Sequence, residues 1–89
     1  MKRYYVYMLR CRKGALYTGY TGNLKRRLRE HEAGRASRFT RARLPVRLVY
    51  AEKQNSVKTA MRRERLIKAM TRKKKLALIA KNPQAQRSK

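Results

Sequence analysis

The stretch Tyr4, Tyr5, Val6, Tyr7, Met8, Leu9 is aromatic or aliphatic without a break. Such a run is the pattern of a β-strand covered on both faces. A chain of 89 residues has room for one modest core and no second domain, so the remaining elements have to provide that cover.

Gly14 marks a turn and Ala15 to Tyr20 resumes the β-rich character, so the two segments read as a hairpin with its loop at Arg12 to Gly14. The hairpin brings Tyr7 and Tyr17 near one another. Asn23 is a good N-cap for a helix over Leu24 to Ala33, with Leu24, Leu28, Arg27 and His31 at helical spacing and Gly34 as the stop. Arg35 to Arg43 reads as an exposed basic loop with one aromatic, Phe39. Val46 to Glu52 alternates, Val46, Leu48 and Tyr50 against Arg47, Val49 and Ala51, as a half-buried third strand does. Ser56 caps a second helix running to about Met70, and Thr71 caps a third with Leu76, Ile79 and Ala80 on its inner side. The order β-β-α-β-α-α predicts an α+β fold, a small three-stranded antiparallel sheet flanked by helices. It occupies one domain over residues 1–81, and a flexible basic tail follows over 82–89.

Lys and Arg number 27 against 4 acidic residues, a net charge of +23 that resists compaction and calls for a polyanionic partner, nucleic acid first of all. Apolar residues still make up 42% of the chain in spaced clusters, which separates it from disordered basic tails. The single Cys11 supports neither an internal disulfide nor a Cys-ligated zinc site, and a reducing cytoplasm fits. The apolar run at the N-terminus is too short for a secretory signal or a membrane span. With no apolar stripe beyond what the core requires, a monomer is expected.

Glu64 falls where an apolar residue would be expected, among Val57, Ala60, Met61 and Ile67 at steps of three and four. A carboxylate there needs an arginine partner or a cation, and helix spacing alone leaves both readings open. Glu52 ends the third strand and needs no special pairing, while Glu30 and Glu32 face solvent. Arg27 and His31, one helical turn apart, put a guanidinium and an imidazole on one surface. Those groups suit phosphodiester chemistry, the first for binding a phosphate and the second for holding a proton near neutral pH, although a lone histidine on a charged helix is also commonly just solvated. Six tyrosines against one phenylalanine imply phenols directed at a shared polar place, and plain core packing explains any one of them equally well.

Taken together, Tyr5-Val6-Tyr7, then Tyr17-Thr18-Gly19 ten positions on, then Asn23-Leu24-x-x-Arg27-x-x-x-His31, then a late helix bearing Glu64, resemble the GIY-YIG nuclease family, in particular its small stand-alone members. The similarity covers about Arg3 to Ile79. The first motif has Tyr-Val-Tyr for Gly-Ile-Tyr and the second has Thr18 for Ile, but both keep the tyrosine. Tyr20 stands where many members have a lysine, and Leu76 or Lys75 where they have an asparagine. The resemblance implies that Tyr7 and Tyr17 frame the site, Arg27 holds the scissile phosphate, His31 assists proton transfer and Glu64 is the sole protein ligand of a divalent cation. The implied chemistry is hydrolysis by an activated water, with Tyr17 as phenolate or His31 as proton acceptor, two bases the sequence does not rank. A single carboxylate suits Mg²⁺, with Mn²⁺ as a substitute.

Arg26, Arg38, Thr40, Arg41, Arg43 and Lys68, with the run Arg72 to Lys75, are the expected nucleic-acid contacts, giving salt-sensitive backbone binding without sequence readout. A DNA endonuclease directed by structure, with room for a protein partner that supplies specificity, is therefore the first expectation. A non-catalytic DNA- or RNA-binding protein is the alternative, and it explains the charge but not Glu64.

Overall fold

The computed structural model describes residues 3–81, so the tail expected over 82–89 lies outside the described residues. Strand β1 (Tyr4–Arg10) is followed by a turn over Arg12–Gly14, β2 (Leu16–Thr21), α1 (Leu24–Glu32), a one-turn helix α2 (Arg38–Arg41), β3 (Arg47–Gln54), α3 (Val57–Lys68) and α4 (Arg72–Ala80). The sheet has the order β2-β1-β3 with both pairings antiparallel, which places the apolar run at its centre.

Both faces of β1 are covered, as its composition requires. Val6 and Met8 pack with Tyr50 and with Ala60 and Ile67 of α3 and Ile79 of α4, while Tyr7 and Leu9 pack with Cys11, Val46 and, from α1, Leu24 and Leu28. Val6, Met8, Leu9 and Ile67 are fully excluded from solvent. Burial on that scale contributes roughly 1.5–3 kcal/mol per large aliphatic side chain. Local chemistry sets the helix starts: the side chains of Asn23, Ser37, Ser56 and Thr71 each accept a hydrogen bond from the backbone N–H three residues on. Past α1, Gly34 takes a positive φ of 76°, which costs glycine nothing.

Four expectations change. The segment 35–43 is not wholly loop: Ser37 caps α2, and Thr40 within it is completely buried. The alternation expected in β3 is interrupted, because the register passes from Met8↔Tyr50 to Leu9↔Leu48 and leaves Val49 as an extra residue. This bulge carries Tyr50 into the Val6 and Met8 cluster while Leu48 stays with Leu9. On α3, Val57 and Met61 are exposed, and only Ala60 and Ile67 of the expected apolar set are buried. On α4, Ile79 faces the core with Leu78 beside it, and Leu76 and Ala80 point outward.

Candidate active site

Tyr7 leaves the centre of β1 on the side covered by α1 and is 1% exposed. Its cross-strand partner is Gly19 of β2, and a Cβ at that position would stand 2.7 Å from the Tyr7 hydroxyl. Glycine is thus what allows the phenol to lie over β2. Two residues before Gly19 and on the same face, Tyr17 sets its ring 6.4 Å from that of Tyr7, centroid to centroid.

Helix α1 supplies Arg27 and His31. The imidazole is fully buried and edge-on to both tyrosine rings, at 5.7 Å from Tyr7 and 5.0 Å from Tyr17. Its Nε2 lies 2.8 Å from the Tyr7 hydroxyl and its Nδ1 2.9 Å from Thr40 Oγ1. The Arg27 guanidinium donates to Glu30 at 3.0 Å and its charge acts on the Tyr7 phenol.

Electrostatics fix the protons in this chain. Burial first, then the neighbouring Tyr17 and Glu64, push the Tyr7 phenol up to about 12 against the opposing pull of Arg27. Burial first, then the Arg27 charge, push His31 down from its ordinary value, with Glu30 opposing weakly. Near neutral pH, Tyr7 therefore keeps its proton and His31 is uncharged. Thr40 Oγ1 donates to the Ser37 carbonyl at 3.4 Å and is thereby free to accept from Nδ1, which leaves Nε2 to accept from the buried phenol. The neutral ring then carries its hydrogen on Nδ1 and donates to Thr40 Oγ1.

Glu64 on α3 is largely buried, and its charge reaches Tyr7. Its ion pair, to Lys68 one turn on at 3.4 Å, involves a half-exposed lysine, and such pairs contribute little. The carboxylate is therefore not consumed by structure. Glu52 is the opposite case and corrects the expectation of a carboxylate without special partners: it accepts from Tyr50, from Gln54 at 2.7 Å and from Arg63 at 2.9 Å. Glu30, expected in solvent, is half-buried and accepts from both Arg26 and Arg27, holding the latter's guanidinium beside Tyr7. Glu32 is exposed as expected. Among the described residues no group of three or more His, Cys, Asp or Glu is placed to hold a metal.

Of the residues expected to contact nucleic acid, Arg26, Arg38, Arg41 and Lys68 are exposed. Arg43 is half-buried, stacked on Phe39 at 3.9 Å, and Phe39 in turn lies 6.0 Å from Tyr17. Thr40 is not a contact residue: it is inside, bonded to His31 and Ser37. The sequence reading missed Thr40 as the partner of His31, Gly19 as the spacer under Tyr7 and Glu30 as the holder of Arg27. The Ser37-x-x-Thr40 spacing, typical of a capped helical turn, was the available signal for the first.

Fold and site define a member of the GIY-YIG nuclease family, whose profile, described as the GIY-YIG catalytic domain, matches residues 3–77. The chain belongs to that family. Within it, a UPF0213 protein of Streptococcus agalactiae is 50% identical over 82 residues, covering 92% of this chain and 93% of the relative. One from Natronomonas pharaonis is 49% identical over 77 residues, with 86% and 91% covered. The solution NMR structure of a UPF0213 protein from Bacillus halodurans is 41% identical and superposes with a TM-score of 0.58, covering 88% of this chain and 83% of that one. Members of the family act on nucleic acids and generally use divalent metal ions. No helix among the described residues is long and apolar enough to cross a membrane.

Proposed function

We propose that this chain is a divalent-metal-dependent endonuclease that hydrolyses DNA phosphodiester bonds and selects its target by structure more than by sequence. The observation that carries the reading is the buried chain from Tyr7 through His31 to Thr40, with the Arg27 charge acting on the same phenol. A tyrosine serving only the core does not need a neutral imidazole oriented on its hydroxyl.

In this reading Arg27, whose side chain is 37% exposed, binds the scissile phosphate and stabilises the charge that builds on it. As water attacks phosphorus, its proton passes to the Tyr7 oxygen while the Tyr7 proton passes to His31 Nε2. The relay avoids a free phenolate, which a phenol held near 12 would resist. Between the two bases that the sequence leaves open, the geometry favours His31, reached through Tyr7, because Tyr7 and not Tyr17 shares its hydrogen bond. Thr40 keeps the ring in the tautomer that can accept. Tyr17 frames the cavity edge-on to the imidazole. Glu64 fits a hard, oxygen-seeking ion such as Mg²⁺, or Mn²⁺ in its place, and the ion would offset negative charge on the phosphate oxygens.

The exposed Arg38, Arg41 and Lys68, with Arg43 at the rim, bind the backbone electrostatically. Nothing in their arrangement reads base edges. The test is incubation of the purified protein with single-stranded, nicked, flapped and branched DNA in Mg²⁺, Mn²⁺ or EDTA. Metal-dependent cutting supports the reading. Salt-sensitive binding with no cutting in any metal favours a non-catalytic nucleic-acid-binding protein instead.

A further inference from the structure

Four basic side chains, Arg10, Arg12, Lys13 and Arg47, line a cleft of about 430 Å³ at the end of the sheet where β1 finishes and β3 begins. Arg10 and Arg47 are direct cross-strand partners. The bulge at Val49 makes them so: continued without it, the register from Met8↔Tyr50 would set Arg10 opposite Leu48. Like charges directly opposite one another destabilise an antiparallel pair. A third guanidinium joins them from α4, since Arg72 and Arg10 come within 3.4 and 3.8 Å of the same point, where a Cβ on Gly14 would stand. All three arginines are exposed, and among the described residues none is paired with a carboxylate.

A local arrangement that costs stability and has no internal counter-charge points to a ligand that supplies one. Guanidinium forks match phosphate oxygens two at a time, which a lysine ammonium cannot do. We infer that Arg10 and Arg47, joined by Arg72, form a second phosphate-binding site, which holds the sugar–phosphate backbone of a bound nucleic acid away from the scissile bond. Arg10 pairs with Leu16, which packs on the Val6 and Met8 cluster, so Arg10 faces away from Tyr7 and this site is separate from the one at Arg27. The inference rests on the nucleic-acid binding of the nuclease reading and not on cleavage.

The experiment measures the affinity of a labelled flapped DNA duplex in EDTA across a range of salt concentrations. The proteins are the wild type, Arg47→Gln, Arg47→Lys, Arg72→Gln and, as a control toward the other end of β3, the exposed Lys53→Gln, each checked for folding by circular dichroism. Arg47→Gln and Arg72→Gln should each lower the slope of log affinity against log salt by about 0.9, the loss of one phosphate contact, with Lys53→Gln unchanged. Arg47→Lys keeps the slope and loses affinity, because the charge stays while the fork goes. In low salt without DNA, Arg47→Gln raises Tm by about 2–5 °C, and added salt removes the difference. A slope change in Lys53→Gln as large as that in Arg47→Gln, wild-type affinity in Arg47→Lys, or a Tm that does not rise overturns the inference. Wild-type cleavage in Mg²⁺, measured in parallel on the same DNA, reports on the nuclease reading separately.

Discussion

Replacing Gly19 with alanine tests the geometry on which the site depends. The added methyl would stand 2.7 Å from the Tyr7 hydroxyl, 2.9 Å from the adjoining ring carbon and 3.1 Å from the Tyr17 ring. Restoring an ordinary contact of at least 3.4 Å moves the phenol end by about 0.7 Å. Tyr7 is enclosed on the other side by His31, so the displacement comes at the expense of the 2.8 Å bond to Nε2. Overpacking costs about 1–3 kcal/mol and the disturbed hydrogen bond about 0.5–1.5, so Gly19→Ala should destabilise the fold by about 2–4 kcal/mol. For a domain of this size that lowers Tm by on the order of 10 °C. Urea unfolding measures the loss, and the imidazole NMR signals of the sole histidine report the hydrogen bond directly. Stability within about 0.5 kcal/mol of wild type with unshifted imidazole signals would refute the close approach of Tyr7 to β2.

Thr40→Val keeps the shape but removes the acceptor of the Nδ1 hydrogen, and a buried group left unpaired costs about 1–3 kcal/mol. Thr40→Ser should restore most of the stability in urea unfolding, and equal values for the two variants would count against the hydrogen bond. Because the folded state holds His31 below its ordinary pKa, the unfolded chain binds the proton more tightly. Stability is therefore fully present above pH 6.5 and declines as pH falls below it. Unfolding measured from pH 7.5 downward should show that slope in wild type and lack its histidine component in His31→Gln. At the alkaline end the sign reverses, since the Tyr7 phenol is raised: its contribution is intact below pH 10 and is lost as pH climbs toward about 12. Tyr7→Phe should lessen that alkaline limb in the same assay, leaving the part due to Tyr50, which burial also raises to about 12, and an unchanged limb would assign it to other groups.

What the sequence revealed and what it hid follow a physical division. The central strand was legible because burial on both faces removes every polar residue from Tyr4 to Leu9. The helix starts were legible because capping is local and needs only a side chain three residues away. The five candidate residues stood out as a set because their joint spacing is far more specific than any one of them, and the fold brings Tyr7, Tyr17 and His31 into contact. Thr40 was not legible: its burial is compensated by a hydrogen bond to His31 on a different helix, and polar composition read as exposure. The bulge at Val49 left no trace, since a valine suits a strand on either face. The partners of Glu52 include Arg63, eleven residues away on α3, which only the tertiary fold brings near.

The measurement that addresses the central claim most directly is a side-by-side comparison of Glu64→Ala with wild type for DNA cleavage in Mg²⁺ and for DNA binding in EDTA. Glu64 makes a weak pair with Lys68 and none of the core contacts, so the variant should fold and bind DNA as wild type does. The account predicts binding retained and cleavage lost by at least 100-fold, on the order of removing one strong transition-state interaction. Cleavage at the wild-type rate by Glu64→Ala would contradict the account, because it would remove the carboxylate proposed to hold the divalent ion from the mechanism.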